Sequence, residues 1–237
     1  MGILTSVGIL LFSVFACAFL QLTPSVFLIF YHYASAKYSR KNALDFSSFF
    51  VVGVAAMTAL VLFLLYFAIF HFLADNPGLN LDFYTWIVAG ILIALGIFCL
   101  FFYYRKGPGT QLFISRNFAN KITTSARKVR KPFDAFSLGL ATGTVELIFN
   151  LPIYIVVITE IINFPVENEV IRPTLLFLFT LCTMFSVLFV RGQFYNFGRN
   201  LAEIEQKREK HKTFKKLMLS FSYFVLAGLL IAFRILG

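Results

Sequence analysis

Apolar residues gather along this chain into six long runs separated by polar stretches: Ile3–Tyr31, Phe49–Phe72, Phe83–Tyr104, Phe136–Ile158, Leu175–Val190 and Leu217–Leu236. A membrane-spanning helix needs about 20 mostly apolar residues, so each run predicts one span. The first is long enough to tilt or kink. The fifth is short at its core, but Arg191 can snorkel and the helix can continue into the following loop. The first run lacks a basic N-terminal region and is too long for a signal-peptide core, so it reads as a span and not as a cleaved leader. The fold class expected is an all-α polytopic membrane protein with six transmembrane helices.

Composition sharpens this reading. Hydrophobic residues make up 59% of the 237 residues and charged residues 14%, with a mean hydropathy of +0.82. A soluble domain is about 45–50% apolar and about 25% charged. One water-soluble core cannot absorb such an excess, and a disordered chain would be poor in apolar groups. The net charge of +10 belongs to topology. Of the 21 basic residues, all but Arg172 and Arg234 lie in the loops after the first, third and fifth runs or at their edges. The other two loops carry Asp75, Asp82, Glu160, Glu167 and Glu169. By the positive-inside rule the basic loops face the cytoplasm and both termini face out. The charge therefore needs no nucleic acid to explain it. It predicts contact with the bilayer, and with anionic lipid at the basic loops. Assembly as a homo-oligomer stays open.

The long third loop parts the chain into residues 1–104, a basic cytoplasmic linker at 105–133, and residues 134–237. The first span runs inward and the fourth outward, so the two halves have inverted topology. Short matches accompany it. Ala89-Gly90-Ile91-Leu92-Ile93-Ala94 in the third run matches Ala227-Gly228-Leu229-Leu230-Ile231-Ala232 in the sixth. Leu22-Thr23-Pro24 in the first matches Asn150-Leu151-Pro152 in the fourth. Inverted repeats with interrupted helices in matching places point to a transporter-type site near the bilayer midplane.

Glu146 is the sharpest candidate within that plan. A carboxylate near the centre of a span costs at least about 2.5–3.5 kcal/mol, so it should face the bundle interior, protonated or paired. Thr142, Glu146 and Asn150 recur every four residues and share one helix face. Pro152 has no N–H to give the carbonyl of Ile148, and Pro24 frees the carbonyl of Leu20 beside Gln21 and Thr23. The candidate substrate or ion site is thus Glu146, Asn150, Pro152, Thr142, Pro24, Gln21 and Thr23, with Glu146 as the metal ligand if the cargo is a metal cation. Gly139 and Gly143 form a small-xxx-small pair that lets another helix approach. In the linker, Ile114, Phe118, Ile122 and Val129 fall on one helical face and predict an interfacial helix. Phe194, Phe197, Leu201 and Ile204 predict that the fifth helix continues into the cytoplasm.

Other chemistry finds little footing. Cys17, Cys99 and Cys182 are odd in number and lie in apolar runs, which disfavours a disulfide framework or a zinc site. His32, His71 and His211 share no metal-ligand spacing. The sequence has no phosphate-binding Gly-Lys-Ser loop, nucleophile elbow or catalytic dyad of known spacing. An enzyme is not expected, and no cofactor is implied.

The polar-x-Pro segments, the Ala-Gly-x-Leu-Ile-Ala ends of both halves, and Ala141-Thr142-x-x-x-Glu146 together make the chain resemble the lysine-exporter superfamily. Those are six-span, three-plus-three inverted membrane proteins that include amino-acid exporters, metal exporters and thiol–disulfide carriers of cytochrome c biogenesis. The resemblance covers the whole chain as architecture. It implies export of a small solute or ion. The thiol–disulfide branch carries a redox cysteine beside proline in both halves, which the fourth run here lacks. The metal branch carries acidic residues in both halves, whereas Ala18 stands where alignment of the prolines would match Glu146. The function expected is therefore secondary transport of a small solute or ion, in a plasma membrane of prokaryotic type. A non-transporting membrane scaffold is the alternative, and a redox carrier comes third.

Overall fold

The computed structural model describes residues 2–21, 26, 29–30, 39–76, 81–101, 124–126, 128–164, 170–196 and 212–236. The chain is all-helical. Six long helices appear among the described residues: α1 (Gly2–Gln21), α2 (Arg40–Asp75), α3 (Leu81–Phe101), α4 (Pro132–Asn163), α5 (Ile171–Asn196) and α6 (Lys212–Leu236). Each coincides with one of the six apolar runs. Three contain segments long and apolar enough to cross a membrane: Lys41–Asp75, Tyr84–Phe101 and Ile171–Gly192. A fourth joins them if the two arms of α4 count as one span, while Thr5–Gln21 and Leu217–Ala232 are shorter apolar helices. The first span, expected to reach Tyr31, is helical over Gly2–Gln21 and at Val26, Ile29 and Phe30.

Local chemistry sets several helix ends. Ser39 caps α2, its hydroxyl accepting the Asn42 N–H at 3.3 Å. Asn76 closes the other end by donating from its amide to the Phe72 carbonyl at 2.9 Å. At the start of α4, Pro132 takes a first-turn position where its missing N–H does no harm. The Asp134 carboxylate then accepts the N–H groups of Lys131 at 3.0 Å and Arg130 at 3.1 Å. α5 runs past its apolar segment to Asn196, while Phe197, Leu201 and Ile204 lie outside the described residues.

The most extensive packing joins α2 to α4 and α3 to α6, followed by α1 with α5, α1 with α4, α2 with α5 and α1 with α6. The crossing of α2 and α4 is backbone on backbone. A Cβ on Gly53 would collide with the Phe136 carbonyl and sit 3.1 Å from the Gly139 Cα. A Cβ on Gly139 would collide with the Phe50 carbonyl. One turn on, a Cβ on Gly143 would stand 2.9 Å from that of Met57. Glycine is required here by the close approach, and Gly139 and Gly143 act as the small-residue pair their spacing predicts.

Where the chain meets its surroundings, α5 is inside out relative to a soluble helix. Phe177, Leu178, Leu181, Phe185, Leu188 and Phe189 are exposed, while Thr180 and Thr183 are buried. α2 likewise exposes Phe49, Val52, Leu60, Leu64 and Phe67. Continuous apolar outer faces of this kind belong in lipid, and the protein is a membrane protein.

Two apolar cores fill the interior. One gathers Val26, Ile29 and Phe30, Ala43 to Val54 of α2, Ala135 and Leu138 of α4, and Met184 and Val187 of α5. Phe30 and Phe50 meet edge to face there, with ring centroids 5.8 Å apart. Ala126 and Val129 of the linker are buried in the same core. The end of the linker therefore docks on protein, whereas Ile114, Phe118 and Ile122 lie outside the described residues. The larger core draws on all six helices, including Ile9 and Cys17 of α1, Leu62 of α2, Leu92 of α3, Ile153 to Ile161 of α4, Leu176 and Phe179 of α5, and Tyr223 of α6.

Candidate functional site

Between the two apolar cores lies a polar layer. On α1 the larger core ends at Cys17, the smaller begins at Val26, and buried Gln21 falls between them. On α2 the boundary runs from Val54 to Leu62, and buried Thr58 occupies it. On α4 it runs from Leu138 to Ile153, with Thr142 and Asn150 buried inside it. On α5 it runs from Phe179 to Met184, with Thr180 and Thr183. Four helices thus carry buried polar residues between the parts that enter the two cores.

α4 breaks at this level. Its arms Pro132–Thr144 and Phe149–Asn163 are inclined by 81°. The causes are local. Pro152 leaves the Ile148 carbonyl without its helical donor. Thr142 and Thr144 also donate from their hydroxyls to the carbonyls of Leu138 and Leu140, both at 2.8 Å, a back-bonding that bends helices. Tyr223 of α6 donates its hydroxyl to the Phe149 carbonyl at 2.9 Å and ties the second arm to α6.

α1 and α5 are joined within the layer. Gln21 Nε2 donates to Thr183 Oγ1 at 3.3 Å, and Ser186 Oγ donates to the Ala18 carbonyl at 2.8 Å. Gln21 is 1% exposed and its Oε1 has no partner; Asn150 is 2% exposed and its Oδ1 has none either. Leaving a buried acceptor unmade costs about 1–3 kcal/mol. Two such groups call for an explanation, and a ligand or an ordered water would supply the missing donors.

Of the residues singled out in the sequence, Thr142, Asn150, Pro152 and Gln21 are buried in this region. Thr23 and Pro24 lie outside the described residues. Glu146 is within α4, close to the bend, but its side chain lies outside the described residues. Sequence reasoning missed Thr58, Thr180, Thr183 and Ser186. The last three had a legible signal, since hydroxyl residues recur every third position through an otherwise apolar run.

Glu160 departs from its assignment to an outer loop. It lies within α4, is 6% exposed and hydrogen-bonds to buried Ser6 of α1. Its neighbour Thr159 hydrogen-bonds to Tyr84 of α3. The helix simply continues past the apolar run, and Ser6 of α1 meets the carboxyl there.

Arg191 reaches from α5 to the start of α2 and does not float free at an interface. Its Nε donates to Ser47 Oγ at 2.9 Å, and its Nη2 donates to Ser48 Oγ at 2.6 Å and to the Leu44 carbonyl at 3.3 Å. Cys17 and Cys99 are buried thiols and Cys182 is an exposed one. Among the described residues no three His, Cys, Asp or Glu side chains come together as a metal cluster. No family model, no curated protein and no solved structure matches the chain.

Proposed function

We infer that this protein is a secondary transporter of a small solute or ion, built as two inverted three-helix halves of the lysine-exporter type, with its site in the polar layer between α1 and α4. The observation that carries this reading is the pair of unpartnered, buried amide oxygens, Gln21 Oε1 and Asn150 Oδ1, one on each of two helices that pack together. In the proposed repeat these helices are equivalent. Interrupted helices with polar groups at the break are how membrane transporters hold cargo at midplane.

The pairing of helices supports the repeat. Exchange α1 with α4, α2 with α5 and α3 with α6. The α2–α4 contact becomes α5–α1, and α1–α6 becomes α4–α3. The contacts α1–α4, α2–α5 and α3–α6 map onto themselves. All of these pairs are in contact, and only the slight α4–α5 contact has no extensive counterpart. A pseudo-twofold axis in the membrane plane produces such a pattern. Alternating access then rocks one half against the other. The 81° elbow in α4 serves as the place that yields.

Glu146 acts in this scheme as the proton or cation acceptor of the coupling step. Glu146→Gln should abolish coupled flux in proteoliposomes while the purified protein keeps its helical circular dichroism. Undiminished flux in that variant removes Glu146 from the mechanism. An absence of any substrate-dependent flux or stabilisation in the wild type favours a scaffold instead.

A further inference from the structure

The polar layer offers far more acceptors than donors. The hydroxyls of Thr142, Thr180, Thr183 and Ser186 donate to the carbonyls of Leu138, Leu176, Thr180 and Ala18 at 2.8, 3.0, 2.8 and 2.8 Å. A hydroxyl has a single proton, so each of these presents only lone pairs to anything else. This also fixes the orientation of Gln21. The Thr183 proton goes to the Thr180 carbonyl, so Thr183 can only accept from Gln21. The amide nitrogen must face Thr183, and Oε1 is the atom left over. Asn150 Oδ1 is unpartnered as well, and Pro152 withholds a donor from the Ile148 carbonyl.

No described basic residue lies on the segments that form the layer. Arg191, on the same helix as Thr180 and Thr183, is engaged with Ser47, Ser48 and the Leu44 carbonyl. An anion would meet neither positive charge nor a surplus of donors here. The oxygens are hard and uncharged. Transition metals prefer imidazole or thiolate, and such a cluster is absent among the described residues.

Position along the bundle is consistent with a single site. The Ser6–Glu160 hydrogen bond pins the start of α1 to the end of α4. At 1.5 Å per residue, Gln21 lies about 22 Å along α1 from that bond and Asn150 about 15 Å along α4. The two amides are therefore within roughly two helical turns of one level.

We propose that this layer binds a small monovalent cation through neutral oxygens: Gln21 Oε1, Asn150 Oδ1 and the Ile148 carbonyl. The cation is either a protonated primary amine, whose N–H groups meet the three acceptors, or a bare alkali-metal ion coordinated by them. The proposal rests on the transport reading and names the cargo class of the same site. It requires no contact from Glu146.

The test uses the full chain in lipid nanodiscs and follows its thermal unfolding. The probes are methylammonium, sodium, potassium and tetramethylammonium chlorides at equal ionic strength, and sodium against potassium salts of sulfate and glutamate. A ligand that binds the native state raises Tm by mass action. The wild type should be stabilised by several degrees with methylammonium or with one alkali ion, and not with tetramethylammonium, which has the charge but neither N–H groups nor a compact surface. Which salt acts distinguishes the amine from the metal ion. Asn150→Leu and Gln21→Met should each lose at least three-quarters of that shift. The unliganded Tm of Asn150→Leu should match or exceed the wild type, because the substitution removes an unmade acceptor. A merely structural asparagine would instead lower it.

Stabilisation that follows the anion, or a cation shift kept in both variants, overturns the proposal. Transport of a neutral or anionic solute by proteoliposomes that ignore all four cations overturns it too while leaving the transport reading intact. No stabilisation and no flux with any solute overturns both.

Discussion

At the scale of single residues, the polar groups inside this protein fall into two kinds: those whose hydrogen bonds are complete and those left short. Arg191 is of the first kind. Its planar fork reaches Ser47, Ser48 and the Leu44 carbonyl together, a geometry an ammonium group cannot reproduce. Arg191→Lys should therefore behave much like Arg191→Ala. Both should lower the apparent unfolding free energy by about 1.5–3 kcal/mol, the range for hydrogen bonds to charged groups, as read by denaturant titration in detergent. Full retention of stability by the lysine variant would deny the fork its role. The cysteines give a second residue-scale prediction. Cys17 and Cys99 are enclosed in the larger core, and Cys182 is exposed on an apolar face. A membrane-permeant maleimide should label Cys182 alone in the native protein, with the same yield under reducing and oxidising conditions. Redox-dependent labelling of Cys17 would revive a thiol–disulfide role. How much of this was legible in the sequence depends on spacing. Thr142 and Asn150 could be found because they share a helix face just before a proline. Thr58 is a lone threonine in an apolar run and had no pattern to mark it. Glu160 was misplaced because hydropathy ends a span where the apolar run ends, whereas a helix ends where its hydrogen bonds do.

At the scale of elements, six apolar runs became six helices, since each had enough apolar surface and too few breakers to form anything else in lipid. Their lengths were less legible. α4 extends beyond its apolar run at both ends. Neighbours were illegible, because the sequence marks a small-residue face but not what covers it. Gly139 predicted a close helix; that its partner is Gly53 of α2 required the structure. The contact gives a sharp prediction. Gly53→Leu or Gly139→Leu must separate α2 from α4 and should destabilise the protein by about 3 kcal/mol or more, the upper part of the range for overpacking. Gly8→Ala and Gly90→Ala meet open space and should be neutral or stabilise by up to about 1 kcal/mol. Thermal or denaturant unfolding of the four variants checks the contrast. Equal effects at all four positions would mean that α2 and α4 do not cross at these glycines.

At the scale of the whole molecule, the two apolar cores and the polar layer between them organise everything else. A core lies on either side of the layer, and α4 bends at it. The sequence marked the bend of α4 through Pro152. It could not announce which helices pack against one another, a property that exists only once the chain is folded. The central claim is that the layer communicates with water on each side of the membrane in turn. It is tested most directly with Asn150→Cys in a background with Cys17, Cys99 and Cys182 replaced by alanine. Sealed vesicles are treated with a small, impermeant, cationic methanethiosulfonate reagent from outside in one sample and from inside in another. The account predicts modification from both sides, slowed from both by a bound cargo ion. A cysteine at position 150 that reacts from neither side, in vesicles where a control cysteine introduced into a loop labels normally, would contradict it.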